Sequence, residues 1–338
     1  MDRPGVRRAL IGACAASAVA LGGTAGGAAW ALPGTWALSP AVTPSASVAA
    51  SGETRLGGET RLGGETRLGG ETGMGGETGM EGVTRSTVDH DAALARAMGT
   101  VPVEDGAEVS VAVLDLASGQ SAAYGDTAFG TASIVKVDIL AALLLQAQDA
   151  GRELTAGEKS YATAMIERSD NDSASALWRA IGAEEGLDAA NERFGLTGTE
   201  GGRRMEWGLT STTVADQLAL LRQVFAAESE LSAASRAYVQ ELMGRVTRGQ
   251  RWGVSAAGGA SGWALKNGWL PHKETGLWDV HSIGRVTVDG RAFLVAVLSD
   301  GNTTKERGIA LVESAARAAV SVFPGEAPAW ATASATPG

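Results

Sequence analysis

The sequence has very few of the residues that build disulfides and metal sites. Its 338 residues include one cysteine and three histidines. The lone Cys14 excludes an internal disulfide and a cysteine-based metal site. His90, His272 and His281 are scattered and show no ligand spacing such as H-E-x-x-H. We therefore expect no metal and no cofactor, and the chemistry has to come from other residue types.

Basic residues are also in the minority. The chain has 28 Lys and Arg against 38 Asp and Glu, which gives a net charge of −10 and a pI near 4.9. Nucleic acids attract basic faces, so this balance argues against a nucleic-acid partner. Apolar residues make up 44% of the chain, which is ordinary for a globular protein. We expect a soluble, monomeric domain that takes a small-molecule substrate.

The N-terminus has the pattern of a targeting segment. An arginine-rich start is followed by the apolar run Ala9–Ala20. Three interpretations of residues 1–32 stay open: a signal peptide cleaved at Ala29–Ala31, an uncleaved membrane anchor or tether, and a lipoprotein modified at Cys14. Each of them places the remaining chain outside the cytoplasm, either secreted or at the cell surface.

Residues 33–85 have the composition of a linker. The hexapeptide GGETRL recurs from Gly52 to Leu68 and continues as GGETGM to Met80. A hexapeptide β-helix needs stacked coils to bury its core, and this stretch is too short to supply them. A flexible glycine-rich spacer is the interpretation we favour. We expect a catalytic domain at 86–323 and a disordered tail at 324–338.

Within 86–323, apolar periodicity predicts helices at both ends, a hairpin, a helical block and three further strands. The predicted helices are Asp89–Met98, Ile134–Gln146, Glu158–Glu167, Ser173–Ile181, Leu187–Phe194, Val214–Ala226, Ala233–Met243 and Glu306–Val322. The predicted strands are Glu108–Leu116, Ser121–Tyr124, Trp263–Leu270, Trp278–Val288 and Ala292–Leu298. Hairpin-linked strands imply an antiparallel sheet, so the fold class is α+β, with a five-stranded sheet, flanking terminal helices and a separate helical lobe.

A serine and a lysine stand one helical turn apart at the start of the most apolar helix. The i,i+3 spacing of Ser133 and Lys136 places the amine beside the hydroxyl. A lysine in apolar surroundings is desolvated, which lowers its pKa and makes a neutral base available. Such a base would activate the serine as a nucleophile. The alternative is a helix-capping serine and a lysine that extends to solvent.

Two more polar tripeptides interrupt the pattern. Ser169-Asp170-Asn171 precedes a predicted helix and is either its N-cap or a proton relay with a substrate-orienting amide. Lys266-Asn267-Gly268 lies inside a predicted strand. It is either an edge strand with a protective charge or a cation beside the nucleophile, followed by a glycine that lets substrate approach the backbone.

In this order, S-x-x-K, S-D-N and K-N-G resemble the signature set of the serine penicillin-recognising enzymes, class A β-lactamases most closely. The resemblance extends from about Thr87 to Val322. It implies that Ser133 is the nucleophile, Lys136 its base and Ser169 the proton relay. It also implies substrate contacts for Asn171, Lys266, Asn267 and Gly268, and an oxyanion hole formed by the backbone N–H groups of Ser133 and Trp269.

The sequence also departs from the family pattern. Asn267 replaces a hydroxyl residue, and the short spacing from Ser133 to Ser169 predicts a reduced helical lobe. The family's E-x-x-L-N stretch, whose glutamate positions the deacylating water, is missing. Glu200 and Glu206 are the acids in this region, and Glu206 is the better placed; it is either the deacylating acid or an exposed loop residue. A cation for the substrate carboxylate is expected from His281 or Arg285, which share one face of a strand.

These observations leave three functions. The first is hydrolysis of β-lactams through an acyl-enzyme, as in class A β-lactamases. The second is a D-Ala-D-Ala carboxypeptidase or transpeptidase, which acylates in the same way and releases β-lactams slowly. The third is a non-catalytic homologue that binds wall peptide, which would have no need of an activated nucleophile. The substrate is expected to be a β-lactam or a D-Ala-D-Ala peptide.

Overall fold

The structure is a computed structural model that describes residues 89–259 and 262–323. The predictions for residues 1–32, 33–85 and 324–338 lie outside the described residues. Within the described part of the chain, no helix is long and apolar enough to span a membrane.

The helices form close to where the sequence places them. Their bounds are α1 (His90–Met98), α2 (Val135–Asp149), α3 (Ala156–Glu167), α4 (Asn171–Ile181), α5 (Ala183–Phe194), α6 (Val214–Phe225), α7 (Ala233–Gly244) and α8 (Lys305–Ser321). Side-chain caps fix several starts: Thr155 and Glu158 form a capping box at α3, and the carboxylate of Asp170 accepts a hydrogen bond from Ser173 N at α4. These caps satisfy N–H groups that have no partner inside the helix.

The strands are β1 (Glu108–Asp115), β2 (Ser121–Tyr124), β3 (Phe129–Gly130), β4 (Ser211–Thr212), β5 (Trp263–Pro271), β6 (Trp278–Val288) and β7 (Arg291–Asn302). Five of them make an antiparallel sheet in the order β2-β1-β7-β6-β5. The short pair β3–β4 forms a second sheet, which the sequence pattern did not predict because two-residue strands show no alternation. The predicted five-stranded antiparallel sheet is confirmed.

Each face of the sheet has its own apolar core. On one face, residues such as Ala296 and Leu298 of β7 pack with the helices α2 to α7. On the other face, Val295 and Val297 pack with α1 and α8. This alternation along β7 is the period-two pattern of a strand buried on both faces. The α+β fold with a helical lobe on one side and terminal helices on the other is therefore confirmed.

Helix α2 runs through the first core and holds Lys136 there. Nearly all of its residues are buried, including Lys136 and Asp138. A helix that is apolar all round is stable only inside a protein, which is why α2 lies between the sheet and the other helices. Its N-terminus reaches β5, the edge strand of the sheet.

Candidate active site

Ser133 lies in a tight turn that leads directly into α2. The turn is a 3-10 helix at Ala132–Ile134, and Ala132 has a φ of 46°. A non-glycine residue with positive φ is uncommon, and such strain is frequent at functional sites. Gly268 of β5 lies against this turn: a Cβ placed there would stand 2.9 Å from Ser133 N and from Thr131 O. Only glycine allows the strand to approach the serine so closely.

The amine of Lys136 is the centre of the site. Its Nζ lies 3.0 Å from Ser133 Oγ, 2.8 Å from Ser169 O, 3.0 Å from Ser169 Oγ and 2.7 Å from Asn171 Oδ1. The side chain is fully buried. Burial lowers the pKa of Lys136 to about 7, against a smaller opposing effect from the negative charge of Asp170. The amine is therefore partly neutral at neutral pH.

The number of hydrogens on Lys136 indicates which groups donate to it. A neutral amine has two hydrogens and one lone pair. The carbonyl of Ser169 and the amide oxygen of Asn171 can only accept, so they take both hydrogens. The lone pair is then left for a hydroxyl, and Ser133 is in position to donate its proton there. This is the arrangement that general-base activation of a serine needs.

Ser169 connects the two lysines of the site. Lys266 Nζ lies 3.0 Å from Ser169 Oγ and 2.8 Å from its own neighbour's carbonyl, Asn267 O. Burial and the nearby Lys136 together lower the pKa of Lys266 well below its ordinary value. Ser169 has a φ of 59°, so it too adopts a backbone conformation that is unusual for a serine. The three motifs found in the sequence thus meet through this hydroxyl.

Trp269 follows Gly268 at the edge of the sheet. Among the described strands, β5 pairs only with β6, so the N–H groups on its other edge have no partner strand. This edge lies against the Ser133 turn. The indole of Trp269 packs beside that of Trp252, with ring centroids 5.9 Å apart, and the ammonium of Lys305 lies 3.6 Å from its ring centroid. These contacts fix the strand where an oxyanion hole is expected.

Asn267 is buried and its amide is engaged within the protein. Both hydrogens of the amide are donated to backbone carbonyls, to Gln250 O at 2.9 Å and to Trp252 O at 3.1 Å. The family resemblance implied a substrate contact for Asn267. In the structure it instead ties the segment before Gly253 to β5.

Among the described hydrogen bonds, neither candidate carboxylate-binding cation is bonded to Ser133 or Lys136. His281 is fully buried, its Nδ1 accepts from Ser299 N, and burial lowers its pKa to about 4, so it is neutral. Arg285 packs on Phe225, with its guanidinium carbon 5.5 Å from the ring centroid. Their role at the substrate carboxylate stays a prediction.

Glu206 is exposed, and among the described contacts its side chain makes no hydrogen bond to Ser133 or Lys136. Its neighbour Trp207 lies at the site instead, with its ring centroid 4.9 Å from Lys136 Nζ. No sequence pattern singled out Trp207. The only signal was its place beside Glu206, in the loop where a deacylating acid was sought.

In residues 89–259 and 262–323, no three His, Cys, Asp or Glu side chains are grouped to hold a metal ion.

The two-lobed fold, with a serine–lysine pair where the helical lobe meets the edge of the sheet, is that of β-lactamase-like proteins. A point mutant of PBP-A, solved as an acyl-enzyme complex with penicillin G, is 22% identical with a TM-score of 0.57, over 67% of this chain and 94% of that one. A β-lactamase from Burkholderia phymatum is 19% identical with a TM-score of 0.58, over 70% and 99%. An ancestral class A β-lactamase is 24% identical with a TM-score of 0.56, over 69% and 100%.

The family assignment follows from the sequence. A model described as the beta-lactamase enzyme family matches residues 151–323, just over half of the 338-residue chain. The chain belongs to this family. The match includes Ser169, Asn171 and Lys266 but begins after Ser133 and Lys136. A comparison with curated proteins gives no match.

Proposed function

We propose that the protein is a serine hydrolase that opens β-lactams through an acyl-enzyme on Ser133. One observation carries this proposal: the buried amine of Lys136, with a pKa of about 7, lies 3.0 Å from Ser133 Oγ. A hydroxyl beside a neutral, buried amine can lose its proton as it attacks a carbonyl.

Each neighbouring group has a role in the proposed acylation. The oxygen of Ser133 bonds to the lactam carbonyl carbon while its proton passes to Lys136. The backbone N–H groups of Ser133 and Trp269 receive the developing oxyanion. The carbon–nitrogen bond then breaks, and the nitrogen takes a proton from Ser169, which regains one from the lysines bonded to it. Asn171 holds Lys136 in place by accepting one of its hydrogens.

A time course with penicillin tests the proposal. Purified protein is mixed with an excess of the antibiotic, and intact protein mass and free antibiotic are followed together. We expect one covalent adduct per protein and consumption of more than one equivalent of antibiotic. A wild type with no adduct and no consumption, matched by a Ser133→Ala variant, would leave only a binding role. Equal adduct formation by both proteins would contradict Ser133 as the nucleophile.

A D-Ala-D-Ala carboxypeptidase or transpeptidase is the second candidate, and the surroundings of Lys136 favour it. Among the described residues, the polar atoms hydrogen-bonded to the amine include no carboxylate that could prepare a water for deacylation. A persistent adduct without antibiotic turnover, together with release of D-alanine from an acyl-D-Ala-D-Ala peptide, would support this function over the first.

We also propose that the catalytic domain acts outside the cytoplasm. The arginine-rich start and the apolar run Ala9–Ala20 support export. Mass analysis of the protein recovered from cells distinguishes a chain cleaved after Ala31 from one retaining its N-terminus or carrying a lipid on Cys14. Recovery of the unmodified full chain in the cytoplasmic fraction would contradict export.

A further inference from the structure

An indole lies over the Lys136 amine, beside the four polar atoms that are hydrogen-bonded to it. The ring of Trp207 has its centroid 4.9 Å from Lys136 Nζ. The only polar atom of an indole, Nε1, is a donor, and here it donates to Ser175 Oγ at 3.1 Å. Trp207 therefore offers no acceptor that could hold a water beside the amine.

The loop that carries Trp207 is fixed to the nucleophile turn. Thr210 Oγ1 donates to Trp207 O at 2.8 Å and accepts from Gly202 N at 3.0 Å. The carbonyl of Thr210 in turn accepts from Thr131 N at 2.8 Å, two residues before the serine. Because both ends of this short turn are bonded, the indole is held over Lys136.

Among the described residues, Lys136 is the base that contacts Ser133. Within the described residues, no carboxylate oxygen is hydrogen-bonded to Ser133, Lys136, Ser169 or Lys266. The carboxylate of Asp170 is engaged by the backbone N–H of Ser173 at 2.8 Å. The base that contacts Ser133 is the amine over which Trp207 lies, so this amine is placed to take a proton from a water that attacks the acyl-enzyme.

We propose that Trp207 makes deacylation the slow half of the reaction by excluding water from Lys136. This rests on the proposed acyl-enzyme. In deacylation the oxygen of water bonds to the acyl carbon, its proton passes to the neutral amine, and the bond from that carbon to Ser133 Oγ breaks. The proton on Lys136 then returns to Ser133. Acylation does not need the covered face, since the hydroxyl of Ser133 already contacts the amine.

Burst kinetics with a chromogenic cephalosporin separate the two halves. The expected wild-type trace is a fast burst of about one equivalent per protein, followed by a slow steady phase. Trp207→Phe keeps a ring over the amine and loses only the bond to Ser175, so its steady phase stays within about threefold of the wild type. Trp207→Ala opens the face, and Trp207→Gln adds an acceptor for water; each raises the steady rate by roughly tenfold or more without a faster burst.

The controls separate this role from a merely structural one. Trp278 is half-buried in β6 and packs against the core that holds α1 and α8, and Trp278→Phe leaves both phases unchanged. Because Trp207→Ala could fail to fold, far-UV circular dichroism is recorded for each variant. If the Ala variant does not fold, the comparison of Trp207→Phe with Trp207→Gln still tests the inference. Steady rates within twofold of the wild type for Ala and Gln overturn the inference, and so does a wild type that turns over with no burst. A wild type with neither burst nor adduct refutes the proposed function itself.

Discussion

The rate of acylation should follow the titration of Lys136. Because the pKa of this amine is about 7, the neutral fraction is roughly 1% at pH 5, half at pH 7 and about 90% at pH 8. If only the neutral amine accepts the proton of Ser133, the second-order rate constant rises by roughly a hundredfold between pH 5 and pH 8 and then levels off. An ordinary lysine, with a pKa near 10.5, would give no plateau in this range.

Two substitutions sharpen this prediction. Lys136→Arg keeps a cation that stays protonated at every accessible pH, so acylation should be lost throughout. Asp170→Asn keeps a residue that caps α4 but removes the negative charge that raises the pKa of Lys136. The midpoint of its profile should therefore move to lower pH.

The assay is stopped-flow acylation with a chromogenic cephalosporin at constant ionic strength, with the fold checked at each pH. A rate constant that is flat from pH 5 to pH 8, or that falls as pH rises, would refute the assignment of Lys136 as the base. A midpoint that moves to higher pH in Asp170→Asn would refute the electrostatic account of its pKa.

Three further outcomes are expected. Gly268→Ala places a Cβ 2.9 Å from Ser133 N, so β5 must move away from the nucleophile and acylation should fall by about a hundredfold in the burst assay; an unchanged burst would show that the close approach is unimportant. Ser169→Ala removes the hydroxyl between the two lysines and should slow acylation by roughly a hundredfold while the adduct still forms on Ser133; wild-type rates would exclude a relay. Burial raises the pKa of Asp138 to about 7, so the folded state keeps a proton that the unfolded chain loses near pH 4, and stability is lost as pH rises between those values. In urea unfolding, Asp138→Asn should have a higher free energy of unfolding than the wild type. This difference should be larger at pH 8 than at pH 5 by on the order of 2 kcal/mol, and an equal difference at both pH values would contradict the account.

The elements with strong periodicity could be predicted from the sequence. The strand Trp278–Val288 has the predicted bounds, and α2 is the buried helix expected from its apolar run. The strands β3 and β4 could not be predicted, because two residues carry no pattern and only the pairing of distant segments defines them.

The site, like the fold, could be predicted only in part from the sequence. The spacing of Ser133 and Lys136 predicted a contact that local helix geometry guarantees, and the structure has it at 3.0 Å. The positions of Trp207 and Asn267 depend on how loops fold against the sheet, so no spacing in the sequence indicates that one covers Lys136 and the other is engaged by backbone carbonyls. His281 and Arg285 share a face of β6, as predicted, but that face is turned into the core beside the helical lobe.

The most direct test of the central claim is to locate the acyl group after reaction with penicillin. Wild type and a Lys136→Met variant are incubated at pH 8, digested and mapped by tandem mass spectrometry. The acyl-enzyme proposal predicts an adduct on the peptide that contains Ser133, assigned to that residue in the wild type and absent from the variant. An adduct on another residue, no adduct at all, or equal acylation of the variant would contradict it.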